Sequence, residues 1–232
     1  MPGRLAIYDD DIFRKDIKEI YSYIKNNVGN IVPQYNIPPT TSIPILLDTQ
    51  VYTYAHFGLV PSWSKDKKNI NINARCETLF EKKSFRESFK SKRCLIAING
   101  WYEWKMVKDK KVPYFIKPSK SNYFGCAGLY DEWYDNESKK VLLSVTLITT
   151  EPNDIVANIH DRMPMILDKK DYKLWLNKES TPEILNKLFT LYPNENITID
   201  EVSTLVNKVS NDTKECILKF TKTDYLQTSL FE

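Results

Sequence analysis

Apolar positions along this chain come mostly in runs of strand length, which predicts a β-rich body carrying some helices. Residues 93–105, 113–116, 124–130 and 141–149 read as four strands of one sheet, joined by charged hairpin loops at 108–111 and 135–140. Within the first of these, residues 95–98 are continuously apolar and predict a buried strand. Upstream, residues 4–7 predict a short strand, and residues 43–48 and 52–60 a pair that ends at Pro61-Ser62-Trp63. Ile12, Phe13, Ile17, Ile20, Tyr21 and Ile24 share one face, so a helix is expected over roughly 12–26, capped by Asp9 or Asp10. Residues 35–39 (YNIPP) are expected to be extended, because a residue before proline avoids the helical region. Shorter helices are expected at 75–80, 152–159, 168–176 and 181–191, the last opened by Thr181-Pro182. Residues 165–167 read as a strand, and 197–202 and the segment around Val206 as edge pieces. Residues 85–92 look polar, basic and exposed. With no internal repeat and no clear linker, the pattern predicts one compact α+β domain.

Composition narrows the class. The 232 residues are 42% hydrophobic, enough for a sizeable core. No apolar run is long enough to span a membrane, and the start MPGRLAIYDD lacks the basic-then-apolar form of a secretory signal. Cys76, Cys94, Cys126 and Cys216 stand far apart without a C-x-x-C pair. They read as reduced thiols of a cytosolic protein, neither a disulfide frame nor a zinc site. Net charge is +3 but uneven: residues 61–120 hold 16 Lys and Arg against 6 Asp and Glu, and the remainder 17 against 24. A basic segment on an otherwise acidic chain is the footprint of a polyanion partner. The alternative is a solvated loop whose charge is offset in space by the acidic remainder.

One carboxylate stands out. In residues 97–104 (AINGWYEW), Glu103 sits between Trp101, Tyr102 and Trp104. A carboxylate walled by apolar rings is poorly solvated, its pKa rises, and it becomes a general acid or base near pH 7. The competing reading is a solvated outward position on an alternating strand.

Several short blocks then resemble the SOS-response-associated peptidase (SRAP) family: Gly3-Arg4, Tyr35-Asn36 with Pro39-Thr40, GLVPSW at 58–63, NARCET at 73–78, Arg93-Cys94-Leu95 with GWYEW at 100–104, and HDRMP at 160–164. They occur in the family's order and span residues 3–167. The resemblance implies a single domain over residues 1–226, a mixed α/β fold with a curved, barrel-like β core and flanking helices. It implies a role at abasic sites in single-stranded DNA. There the family's Cys at position 2 traps the ring-opened sugar as a thiazolidine, a crosslink that shields the lesion. A peptidase activity, including removal of the initiator Met, is also implied.

The sequence departs from the family at this key position, which is Pro2. No thiazolidine forms without the thiol. A secondary amine exposed by loss of Met1 attacks an aldehyde to give an iminium, which promotes strand cleavage by β-elimination. The alternative is a crosslink-dead chain that binds abasic DNA without covalent chemistry. By resemblance, Asn73 hydrogen-bonds the opened sugar, Glu103 shuttles protons and His160 is a proton donor. A satisfied core histidine is the alternative for His160, and His56 reads as structural. Arg4, Arg75 and Arg162 would grip phosphates as charge-assisted forks, with an internal salt bridge as the alternative for Arg162. Trp63 and Pro39 would form a base-stacking platform, with core packing as the alternative for Trp63. Gly3, Asn36 and Thr40 fall in the DNA-contacting blocks, and Phe85 with its neighbouring lysines would line the strand channel. In the tail, residues 227–232, Gln227, Leu230 and Phe231 resemble the pentapeptide by which bacterial proteins dock on the replication sliding clamp. The expected picture is a cytoplasmic, nucleoid-associated monomer that requires no cofactor, metal or membrane.

Overall fold

A computed structural model describes residues 2–68 and 70–220. Thirteen strands are assigned among them: β1 (Leu5–Ile7), β2 (Lys25–Asn26), β3 (Gln34–Ile37), β4 (Ser42–Leu47), β5 (Val51–Phe57), β6 (Asn73–Arg75), β7 (Arg93–Ile98), β8 (Gly100–Val107), β9 (Lys110–Pro118), β10 (Phe124–Asp135), β11 (Lys140–Thr150), β12 (Met163–Pro164) and β13 (Ile197–Glu201). Five short helices flank them: α1 (Asp11–Ile20), α2 (Arg86–Ser91), α3 (Asp154–Ala157), α4 (Tyr172–Leu176) and α5 (Pro182–Asn186).

The strands form two sheets. In the larger, β11, β10, β7, β4 and β5 lie side by side, and β11 also pairs with β5 in parallel through Ser144–His56 and Val145–Phe57. That last pairing closes the five strands into a barrel, which leaves no free edge between them. The smaller sheet runs β13-β9-β8-β1-β3. This is the α+β class that the apolar pattern predicts, with the barrel-like core that the family resemblance implies.

Alternation along the barrel strands assigns the two faces. Ile43, Ile45, Ala55, Phe57, Ile96, Ile98, Cys126, Val145 and Leu147 share one buried cluster with Leu5, Ile37, Trp101 and Ile116 of the smaller sheet. The intervening positions, such as Leu46, Tyr52, Leu95, Ala97, Ala127 and Leu129, pack against Phe13 and Ile17 of α1, Phe89 of α2 and Trp175 of α4. Strands buried on both faces read as the near-continuous apolar runs seen at 43–47 and 94–98.

The predicted strand over 93–105 is two strands in two sheets. Asn99 is the corner: its amide accepts from Tyr8 and Asp9 N–H (2.7 and 3.0 Å) and donates to the carbonyls of Asp9 and Asn122 (2.9 and 2.6 Å). Gly100 follows because a Cβ there would lie 2.4 Å from the Phe115 ring.

Helices come out shorter than their apolar stripes. α1 stops at Ile20, where Tyr21 turns extended so that Lys25–Asn26 can pair with β5. The 75–80 helix is one 3₁₀ turn, Cys76–Thr78. The 152–159 and 181–191 helices shrink to α3 and α5, whereas 168–176 keeps its length, as a 3₁₀ turn (Lys169–Asp171) after Asp168 that runs into α4. The strand expected at 165–167 sits two residues earlier, at β12. Residues 85–92 are not an exposed arm: they form α2 and bury Phe85 and Phe89 in the core. All four cysteines are free and buried. No helix among the described residues is long and apolar enough to cross a membrane.

Candidate active site

The start of the chain is threaded into the smaller sheet. β1 pairs with β3 on one side and β8 on the other, with Leu5 opposite Trp101 and the Tyr102 N–H donating to the Arg4 carbonyl (2.9 Å). Continued by two residues, that antiparallel register brings residue 3 opposite Glu103. Pro2 is buried, and its carbonyl accepts a hydrogen bond from Asn73 Nδ2 (2.9 Å). Asn73 is positioned by β6, which pairs with β11 beside Leu147. Its Oδ1 is buried and has no hydrogen-bond partner among the described residues.

Glu103 of β8 is 4% exposed, and its Oε2 lies 3.8 Å from His160 Nε2. Burial pushes its carboxyl up to about 7, with the negative charge of Asp161 adding and the positive charges of the amino terminus and Lys111 opposing. His160 follows the turn after α3. Burial pulls its pKa down, the amino-terminal charge adds to this, and Asp161 opposes it. His160 Nδ1 is 2.8 Å from Asp161 Oδ1 and accepts the Arg162 backbone N–H (3.0 Å). Asp161 and the Arg162 N–H both meet the ring at Nδ1, which leaves Nε2 facing Glu103. Four separate elements therefore bring Pro2, Asn73, Glu103 and His160 to one place. The amino-terminal charge acts on both the carboxyl and the imidazole. That charge belongs to the amine ahead of Pro2, whose own nitrogen is a peptide amide until Met1 is removed; a carboxyl that titrates near neutrality beside a neutral imidazole is equipped to move protons around a carbonyl addition.

The other predicted contact residues divide. Trp63 is 52% exposed with Lys83 Nζ 4.4 Å from its ring centroid, so it is not a core residue. Arg75 and Thr40 are exposed, and Gly3 and Pro39 are half-buried. Thr40 takes a left-handed conformation (φ 71°) at the turn into β4. The remaining assignments are corrected by burial. Asn36 is 2% exposed, and its Nδ2 donates to the carbonyls of Val206, Lys208 and Asn211. Its Oδ1 accepts from Arg4 Nη1 (2.7 Å), which also reaches the Val206 carbonyl (3.0 Å) while the guanidinium lies over Trp104. These two residues tie the N-terminal strand to the C-terminal segment and do not form an open phosphate fork. Arg162 is buried in a bidentate pair with Glu77 (2.8 and 2.9 Å) and donates to the Thr149 carbonyl. The internal salt bridge is the correct reading there. Phe85 is 3% exposed and belongs to the core, away from any strand channel. Gln227, Leu230 and Phe231 lie outside the described residues.

One residue escaped the sequence reading. Asp161 acts on His160 against the larger effects of burial and the amino-terminal charge, and it stands next to it in HDRMP, so a carboxylate adjoining a proposed proton donor was the available signal. Lys83, one of the lysines beside Phe85, stands over Trp63, a contact 20 positions away that no local pattern indicates.

The family model described as SOS response associated peptidase (SRAP) matches residues 1–209. The chain is 41% identical over 196 residues to abasic site processing protein YoqW of Bacillus subtilis strain 168, covering 82% of this chain and 87% of the relative. It is 37% identical over 227 residues to abasic site processing protein YoaM of the same organism, covering 94% and 97%. A crystal structure of a protein from Bacteroides thetaiotaomicron superposes with a TM-score of 0.81 at 24% identity, covering 94% of this chain and 99% of that one, a likeness of fold.

Proposed function

The chain belongs to the SOS response associated peptidase family, and from that premise we propose that it processes abasic sites in DNA through an amine at its own N-terminus, that of Pro2 once Met1 is removed. Relatives named as abasic site processing proteins support the lesion. The observation that carries the chemistry is Glu103, buried yet titrating at about 7, beside His160 and the strand that delivers Pro2.

The steps follow from those groups. The Glu103 carboxyl gives its proton to the ring oxygen while the neutral His160 ring takes the 1′-hydroxyl proton at Nε2, and the sugar opens to an aldehyde. The neutral Pro2 nitrogen attacks C1′, its proton passes to the Glu103 carboxylate, and the charged His160 ring gives its proton to the new alkoxide to form the carbinolamine. The carbinolamine then loses its hydroxyl as water, with Glu103 returning the proton, and an iminium joins nitrogen to C1′. That positive charge acidifies the C2′ proton. Glu103, again a carboxylate, removes it. The C–H electrons form an enamine and then expel the 3′ phosphate as the C3′–O bond breaks. Water hydrolyses the remaining iminium and frees the amine. Asn73 holds the Pro2 carbonyl with its Nδ2 and offers Oδ1 to a sugar hydroxyl. Trp63 stacks an unpaired base, and Arg75, Gly3, Pro39 and Thr40 flank the strand. The lesion is met in single-stranded DNA during the damage response, and residues 227–232 tether the protein to the sliding clamp. Deleting them and finding clamp affinity unchanged would remove the tether from this account.

The test is a denaturing gel of protein mixed with an abasic single-stranded oligonucleotide, with and without borohydride, alongside mass spectrometry of the N-terminus. A crosslink seen only after reduction, a cleaved strand and a free Pro2 are the expected results. Shifted but unmodified DNA on a native gel would leave a non-covalent binding module, the reading that the missing thiol favours.

A further inference from the structure

A cavity of about 610 Å³ lies at the junction of β5, the loop that follows it and the β10–β11 hairpin. It includes none of Pro2, Asn73, Glu103 or His160. Ile70, Trp133, Val141 and Leu142 give it an apolar seat, and Lys67, Lys68 and Lys140 stand around it. Asp135 is the one carboxylate in the lining, and it is engaged by the Glu137 N–H (3.0 Å) and the Ser138 hydroxyl (2.8 Å). Three ammonium groups thus face one occupied carboxylate. His56 completes the wall; burial and the nearby Lys67 hold its pKa down, so it meets a ligand as a neutral ring able to donate and accept. An apolar seat of this size under a cationic rim fits a nucleotide, with the base below and the phosphate above.

The cavity is fixed relative to the surface proposed for DNA. Trp133 Nε1 donates to the Ser64 carbonyl (2.8 Å), and the Ser62 N–H donates to Asp131 Oδ2 (2.7 Å). Both bonds clamp the loop that presents Trp63 onto β10. Thr40 lines the cavity on its other side. Along β11, Leu142 in the cavity lies five residues before Leu147, the partner of Asn73. At about 3.3 Å per residue that separation is roughly 17 Å. A stacked strand covers it in about five nucleotides, at 3.4 Å each.

We infer that this cavity is a second strand subsite, which takes one nucleotide of the lesion-bearing strand about five positions from the abasic site. Its base sits against Ile70, Val141 and Leu142, and its phosphates face Lys67, Lys68 and Lys140. The inference rests on the proposed reading that single-stranded DNA passes Pro2, and it makes the protein read strand length on one side of the lesion.

The test uses oligonucleotides carrying a tetrahydrofuran abasic analogue, which binds without reacting, extended one nucleotide at a time on either side. For the full chain, affinity should rise in a step of about tenfold when one arm reaches about five nucleotides. Val141→Asp, at a 60% exposed position, should abolish the step and leave short oligonucleotides bound as before. Lys67→Ala with Lys140→Ala should do the same, and so should removal of the single base at the step position. A smooth rise with length, a step that survives Val141→Asp, or an equal loss on short and long strands would each overturn the subsite. If the unmodified protein bound none of the oligonucleotides, the DNA reading itself would fall, a result distinct from a flat length series.

Discussion

At the scale of single residues, Glu103 carries the sharpest consequences. Its folded pKa of about 7 lies above the ordinary carboxyl value of 4.5, so the native state binds a proton that the unfolded chain releases. The resulting stability is fully present below pH 4.5 and is lost as pH rises through 7. Glu103→Gln removes this penalty. The variant should be more stable than the parent at pH 8, by up to roughly 3 kcal/mol, and equal to it near pH 4.5, as thermal melts at the two pH values would show. The same substitution should lower the rate of borohydride trapping by about 100-fold or more, since the proton shuttle is gone. Asp161 acts through its neighbours. Its charge raises the pKa of both His160 and Glu103, so Asp161→Asn should move the trapping-rate profile to lower pH, with Asp161→Glu restoring it. A merely structural Asp161 would leave the profile in place. Glu103 was singled out in advance by its aromatic setting, but Tyr102 and Trp104 point to the other face of β8, so the burial that raises its carboxyl comes from tertiary packing and not from those adjacent rings. Asn36 and Arg162 were not legible, because their partners Val206 and Glu77 lie 170 and 85 residues away.

At the scale of elements, the Asn99-Gly100 corner decides whether Glu103 faces the site. β7 belongs to the barrel and β8 to the sheet that holds the N-terminal strand, and four hydrogen bonds from one buried amide hold the junction. Asn99→Ala leaves two backbone N–H groups and two carbonyls short of partners. It should cost roughly 3 kcal/mol in urea unfolding and reduce trapping as well, because β1 and β8 lose their shared anchor. α2 shows the opposite relation of pattern to structure. The basic residues of 86–92 made it look like a solvated arm, whereas Phe85 at its cap and Phe89 within it anchor it in the core. Phe89→Ala should destabilise by about 3–5 kcal/mol without changing the salt dependence of DNA binding. Helices of four to ten residues are set by where the sheet lets them pack, so their apolar stripes overstate their length.

For the whole molecule, the uneven charge along the sequence becomes an uneven surface. The exposed Lys83 stands over Trp63, Arg75 is exposed on β6, and Lys67, Lys68 and Lys140 stand at the cavity. Binding of an abasic analogue should therefore weaken as salt rises, with a logarithmic slope near −3 for four neutralised phosphates on a single strand. Trp63→Ala should lower affinity by about 1–3 kcal/mol at every salt concentration and leave that slope unchanged, since stacking releases no counterions. The sequence by itself determined what is local: the strand runs, the single α+β domain, the ordered motif blocks and the proline at position 2. Each depends on neighbours in the chain, so periodicity and residue type suffice. Only the tertiary structure decided which arginines are spent on internal partners, that β11 closes on β5, and that Pro2, Asn73, Glu103 and His160 converge. Those outcomes depend on pairings between residues far apart in the chain, and desolvation at such a meeting point is a property of the packed molecule that no local stretch encodes.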